Sequence, residues 1–319
     1  MHVAVIGGTG HVGTYLVPEL VALGHEVTVV SRGKRHPYHD HPAWRTVKHV
    51  TIDRDADEKR AEFGPKIRAL QADVVIDMIC FSEDSARHLV DALRGQVQHF
   101  LHCGTIWIYG PSVSVPATED QPRRPFGDYG IQKAAIEAYL LREARQNGFP
   151  ATCLHPGHIV GPGWPPINPQ GNLNLEVFLQ LMRGEEVVLP NLGMETLHHV
   201  HAADVAQSFI KAMLNWSTAV GESFHVVSPA ALTLRGYAEA VAARFGQEAK
   251  LRYVGWEEFR KLVDERDAQA TYDHIAHSPN ASIDKARRLI GYNPRYPSLQ
   301  AIFESLDWLI EQGKIVISG

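Results

Sequence analysis

Short hydrophobic runs alternate with stretches of helical period through the first half of the chain. Residues 1–6, 26–30, 47–52, 73–79, 99–103 and 151–155 are predominantly apolar and read as strands. Between them the pattern predicts helices over about residues 14–23, 56–70, 85–93 and 129–147. Strand and helix in strict alternation imply a parallel, doubly wound sheet with right-handed crossovers. From Gly161 the rhythm breaks. The run Gly161-Pro162-Gly163-Trp164-Pro165-Pro166 opens an irregular stretch to about residue 175, and helices follow near 176–183, 204–215, 233–245 and 298–312. A strand-like Phe224-His225-Val226-Val227 lies between the second and third of these. No internal repeat or low-complexity tract interrupts the chain.

The first strand runs directly into Gly7-Gly8-Thr9-Gly10-His11-Val12-Gly13. Glycines at 7, 10 and 13 permit a tight turn, close approach of an anion to the backbone, and packing of helix on strand, with the anion held at the helix N-terminus. A strand before, a helix after and a second strand next make this a dinucleotide-binding turn, with Gly7, Thr9, Gly10, His11, Val12 and Gly13 at the cofactor.

Composition narrows the class further. The 319 residues are 45% hydrophobic and 21% charged, enough for a large core and long for one compact unit, so two lobes are expected. A net charge of −5 offers no general attraction to nucleic acid or an anionic membrane. No stretch approaches the ~20 apolar residues that cross a bilayer, and residues 1–6 read as a core strand rather than a leader. Cys80, Cys103 and Cys153 cannot all pair, which fits reduced thiols in a cytoplasmic protein.

Tyr129 and Lys133 open the long helix four residues apart, on one face. An ammonium there stabilises a phenolate and lowers a pKa that is otherwise near ~10, so the phenol becomes an acid or base near neutrality. Thr105, just after the strand at 99–103, falls at the carboxyl end of the sheet, where its hydroxyl meets the oxygen that Tyr129 protonates.

Across nearly the whole chain these motifs resemble the extended short-chain dehydrogenase/reductases, the NAD-dependent epimerase/dehydratase family. The glycine turn, Thr105 before Ile108-Tyr109-Gly110, Tyr129 to Lys133, His155-Pro156-Gly157-His158-Ile159-Val160-Gly161-Pro162-Gly163, Val200-His201-Ala202-Ala203-Asp204-Val205-Ala206 and the segment Asp284 to Pro294 are similar to its motifs in order. The resemblance implies an α/β fold: a Rossmann doubly wound parallel sheet over residues 1–160, with 196–226 returning to it, and a smaller C-terminal α/β substrate lobe from 161–195 and 227–319. It implies Thr105, Tyr129 and Lys133 as catalytic residues, Lys133 also on the cofactor. His155 stands where the family's arginine begins the Pro-x-Asn segment and is expected at the cofactor.

The departures sharpen the expectation. Ser31 and Arg32 occupy the end of the second strand, where NAD enzymes of the family carry an acid; a hydroxyl and a guanidinium suit a 2′-phosphate, so NADP is expected, with NAD the alternative. Asp53 is placed for the adenine. Ile106 and Trp107 replace the Asp-Glu pair of sugar dehydratases, which disfavours hexose dehydration. Leu197 and His158 replace residues that hold nucleotide-diphosphate sugars, pointing to a smaller or uncharged sugar, polyol or carbonyl compound. Trp107, His158, His199 and His201 are candidate substrate contacts, and the redox chemistry requires no metal. The expected activity is hydride transfer at a carbinol or carbonyl carbon, either epimerisation on a retained cofactor or net reduction or dehydrogenation. A non-catalytic NADP- or RNA-binding relative is the third reading, opposed by the acidic charge and the intact Thr105, Tyr129 and Lys133. A homodimer is compatible with the family.

Overall fold

The computed structural model describes residues 1–316. Thirteen strands are present among them: β1 (His2–Ile6), β2 (Glu26–Ser31), β3 (Lys48–Thr51), β4 (Val74–Asp77), β5 (His99–Cys103), β6 (Ala151–Pro156), β7 (His158–Val160), β8 (Glu186–Pro190), β9 (Thr196–Leu197), β10 (His199–His201), β11 (Ser223–Val226), β12 (Leu232–Thr233) and β13 (Lys250–Val254). Seven form one parallel sheet in the order β11-β6-β5-β4-β1-β2-β3. The order reverses between β1 and β4, and a crevice opens there at the carboxyl ends of the strands.

Both faces of this sheet are covered, which is why its strands read as continuous apolar runs. Val3 and Val5 of β1 pack with Leu16, Val17 and Leu20 of the helix His11–Ala22 and with Val205 and Phe209 of Ala202–Leu214. Ala4 and Ile6 face the other way, toward Phe63, Leu89, Ile136 and Leu140. A third core joins Phe178, Val187, Leu189, Tyr237 and Leu306 around the parallel pair β8 and β13.

Helix bounds differ from the pattern in one instructive place. The helix expected over 56–70 is two, Arg54–Glu58 and Phe63–Arg68, separated by Ala61 at φ 56°. Pro65 lacks an N–H and its ring clashes with the carbonyl four residues back, so one helix cannot run through and a second starts. Asp57 stitches the break through Arg60 and Lys66.

Candidate active site

The glycine turn is built as a cradle. Gly7 adopts φ 82°, and its N–H donates to Val30 O at 2.8 Å, tying the turn to β2. A Cβ on Gly13 would lie 2.0 Å from Gly8 O, so only glycine lets the helix approach the turn this closely. The helix begins at His11, three residues before the expected start, behind Gly10 at the N-cap with no side-chain cap and no acid in its first turn, leaving free N–H groups for a phosphate. A cleft of about 360 Å³ runs from Gly7, Thr9 and Gly10 to Ser31, Arg32 and Arg54. The residues fit a dinucleotide: apolar Ile52, Ile79 and Phe81 for a ring, open amides for pyrophosphate, cations at the far end. Val12 belongs to the core beneath, 7% exposed.

Two candidate cofactor residues sit differently from expectation. The Asp53 carboxylate accepts from Ala56 N and caps a helix, while its neighbours Arg54 and Asp55 line the cleft. Arg54 is buried and clamps Asp77 with both oxygens at 2.9 Å and Glu58 at 2.6 Å. His155 is fully buried below the site, 0% exposed, rather than at its surface. Its Nδ1 accepts from Thr105 N at 3.1 Å and its Nε2–H donates to Glu137 at 3.0 Å, which fixes the orientation of the ring. Arg123 grips both oxygens of Glu137 at 2.9 and 2.7 Å. Burial works to raise the Glu137 carboxyl, yet His155 and Arg123 hold it well below the usual carboxylate range.

Thr105, Tyr129 and Lys133 meet above this chain of contacts. Thr105 follows β5, caps the short helix Ile106–Tyr109, and accepts from Trp107 N at 3.3 Å. Tyr129 keeps 44% of its surface open, while burial around its hydroxyl and the Cys103 thiol push the phenol up to about 12, against a lowering pull from the Thr105 hydroxyl. Lys133 is buried. Its Nζ donates to Cys80 O at 2.7 Å and Cys103 O at 2.8 Å and lies 5.9 Å from the Tyr129 ring centre. The phenol is therefore raised rather than lowered in this arrangement: burial outweighs the Thr105 hydroxyl, and the ammonium donates to two main-chain carbonyls instead of to Tyr129.

The candidate substrate residues divide. Trp107 stands edge-on to Tyr129 at 6.0 Å and to His158 at 6.4 Å, and His158 meets His199 at 5.6 Å across the β7–β10 pair. His201 is elsewhere: it caps the helix Ala202–Leu214, stacks on Tyr296 at 4.0 Å and reaches toward Glu304 at 3.4 Å. Trp107 also stacks on His277 at 4.2 Å and meets His274 at 5.1 Å, both from the helix Glu265–His277. His274, His277, Glu137 and Arg123 belong to no motif, although two spacings point to the first three. Glu137 continues the four-residue step from Tyr129 and Lys133, and His274 and His277 stand one helical turn apart. No group of three or more histidines, cysteines or acids in metal-binding proximity exists among the described residues.

The family model described as the NAD dependent epimerase/dehydratase family matches residues 3–227. The chain belongs to that family. Among curated relatives of this family member, the chloroplast stem-loop binding protein of 41 kDa b of Arabidopsis thaliana is 24% identical over 95% of the chain and 78% of its own length. A UDP-glucose 4-epimerase of Mycolicibacterium smegmatis is 26% identical over 77% of the chain and 83% of its own. The fold is that of the UDP-glucose 4-epimerase of Thermotoga maritima solved with UDP-glucose, at TM-score 0.74 and 20% identity over 98% and 99% of the two chains. It is equally that of the UDP-glucuronic acid 4-epimerase of Bacillus cereus solved with UDP-glucuronic acid and NAD, at TM-score 0.72 and 15% identity over 98% and 100%. The family is one of NAD-dependent enzymes. No helix among the described residues is long and apolar enough to cross a membrane.

Proposed function

We propose that this family member transfers a hydride at a carbinol or carbonyl carbon of a sugar-like substrate, with Tyr129 as the acid and base. The observation that carries the reading is the convergence of Thr105, Tyr129 and Lys133 at the carboxyl end of β5, beside a cleft floored by the glycine turn. With its phenol protonated, Tyr129 is ready to donate to a carbonyl oxygen, and the Thr105 hydroxyl lies where it orients that oxygen. Lys133 is positioned to hold ribose hydroxyls and, by exchanging a carbonyl partner for them, to bring its charge to bear on the phenol. When bound, an oxidised nicotinamide supplies a hydride acceptor and a positive charge that favours proton loss from Tyr129.

The cofactor we propose is NADP, because Ser31, Arg32, Lys34 and Arg35 line the far end of the cleft. Arg32 is solvent-exposed, so screening keeps its contribution at the low end for a charged hydrogen bond, about 1.5 kcal/mol. Arg32→Ala should therefore weaken NADP about tenfold by calorimetry and leave NAD nearly unchanged. Equal losses for both, or tighter NAD in the native protein, reverse this assignment.

Mass spectrometry of small molecules released from the native protein identifies cofactor and ligand together, and retained cofactor supports epimerisation over net reduction. On the compound so found, Tyr129→Phe should lose ~10²–10⁴-fold in turnover while keeping cofactor affinity. Full activity in that variant would remove Tyr129 from the acid/base role, and no turnover by the native protein would move it to the reading suggested by the stem-loop binding relative, a nucleic-acid binder.

A further inference from the structure

Next to Tyr129 lies a group of side chains that the hydride chemistry does not use. His158, His199, His274, His277 and Trp107 are in continuous ring contact, and Tyr237 closes the far side against His199 at 5.5 Å. Five buried polar atoms in this group have no protein partner: His158 Nδ1 and Nε2, His199 Nδ1, His277 Nε2 and Tyr237 Oη. Buried polar atoms are ordinarily paired, and a concentration of orphans beside an acid/base residue marks a place where a ligand completes the pairing.

The surroundings fix what those atoms offer. His199 Nε2–H donates to Ile167 O at 3.3 Å, so its Nδ1 is a bare acceptor. His277 Nδ1–H donates to Asp273 O at 2.6 Å, so its Nε2 is a bare acceptor. His158, with neither nitrogen engaged, offers one donor and one acceptor when neutral. Burial holds His158, His199, His274 and His277 below the usual histidine range, and the groups that weigh most on His158 are four other histidines, not a cation or a carboxylate. Lys133, a nearby ammonium, is already shared between two carbonyls.

We propose that these imidazoles form a neutral wall, rich in acceptors, that takes the hydroxyl protons of an uncharged polyhydroxylated substrate and rejects sugar acids. The inference rests on the sugar-like reading above and names the class of sugar. A hydroxyl donates to His199 Nδ1 or His277 Nε2, where a carboxylate meets only lone pairs; the N–H of His158 and the Tyr237 hydroxyl are neutral donors, and a carboxylate finds no cation there to balance its charge. Trp107 links the wall to the reacting end, touching both Tyr129 and His277.

The test uses the full chain as Tyr129→Phe, loaded with cofactor so that no turnover occurs, with histidine rings labelled in ¹⁵N. Long-range nitrogen–proton spectra should show His199 protonated on Nε2, His277 on Nδ1 and all four rings neutral at pH 7. Methyl glycosides of glucose, galactose and mannose and myo-inositol are then titrated to high concentration, with glucuronate as the contrast. At least one neutral compound should shift the His158, His199 and His277 ring nitrogens, and glucuronate should not. His277→Phe keeps the stack on Trp107 and removes one acceptor, and should weaken the neutral ligand roughly two- to tenfold; His277→Gln, which restores an acceptor, should recover part of it. Opposite tautomers, no response to any neutral compound, or glucuronate binding as well as the sugars overturns the wall. If the native protein proves not to bind a nicotinamide cofactor, the hydride reading fails instead, while the tautomers and the sugar preference are still read on the cofactor-free chain.

Discussion

Glu137 ties Thr105, through His155, to a buried charge, and its replacement measures that tie. In Glu137→Leu, His155 Nε2–H loses its acceptor and Arg123 loses a bidentate carboxylate, both beneath Thr105. Removing one partner of a buried pair costs ~3–5 kcal/mol. Arg123 retains 24% side-chain exposure and keeps the carbonyls of Glu119 and Gln121 at 2.6 and 2.8 Å, so the loss falls at the low end, about 3 kcal/mol. Urea unfolding followed by circular dichroism should show this as a lower midpoint at unchanged slope. Glu137→Gln keeps an acceptor for one of the two partners and should lose roughly half as much. A double-mutant cycle with Arg123→Met should give a coupling of ~1 kcal/mol or more, since the two touch directly. The groove beside them, about 1060 Å³ and lined by Arg123, Glu137, Arg142 and Arg145, is the route by which water would reach the cluster. A loss below ~1 kcal/mol in Glu137→Leu would mean that water from this groove satisfies His155 and Arg123, and the buried relay would be refuted.

Two further outcomes are expected. His11, His99 and His198 are held by burial at about 4 against 6.5 when unfolded, so the unfolded chain takes up protons first and stability is lost as pH falls from 6.5 toward 4. Each costs about 2 kcal/mol at pH 5, so melting temperature should fall steeply between pH 7 and pH 5, and His99→Gln, which keeps a partner for Thr152, should flatten the fall; a level profile contradicts neutral burial. Gly13→Ala puts a methyl 2.0 Å from Gly8 O and should abolish cofactor binding, with circular dichroism separating a displaced turn from an unfolded chain; cofactor affinity equal to the native protein's would mean the helix can back away at no cost.

Legibility followed the range over which each feature is decided. The turn from Gly7 to Gly13 is local: its φ 82° and the approach of Gly13 to Gly8 depend on residues within one turn of chain, and glycine alone tolerates them. The strands of the main sheet are equally local in origin, because burial on both faces demands unbroken apolar runs. Tyr129 and Lys133 are related by helix geometry and could be paired from spacing. The break between the helices Arg54–Glu58 and Phe63–Arg68 was also written locally, in Pro65, inside a stretch that reads as one polar helix.

Where charge and hydrogen bonds end up was decided only by the folded chain. Lys133 faces Tyr129 as its spacing implies, yet the carbonyls of Cys80 and Cys103, brought from two other strand ends, claim its protons. His155 passes beneath Thr105 because β5 and β6 are neighbours in the sheet, and Glu137 reaches it from the helix packed across them. His158 and His199 are joined by a strand pairing, and His274 and His277 arrive from more than seventy residues farther along. The sequence alone determined the glycine turn, the sheet that carries it and the facing of Tyr129 and Lys133, since each is a matter of local steric fit and period. The tautomers, ion pairs and imidazole wall around that pair belong to the tertiary structure, because a hydrogen bond depends on atoms within about 3 Å, and those atoms come from segments that only folding brings together.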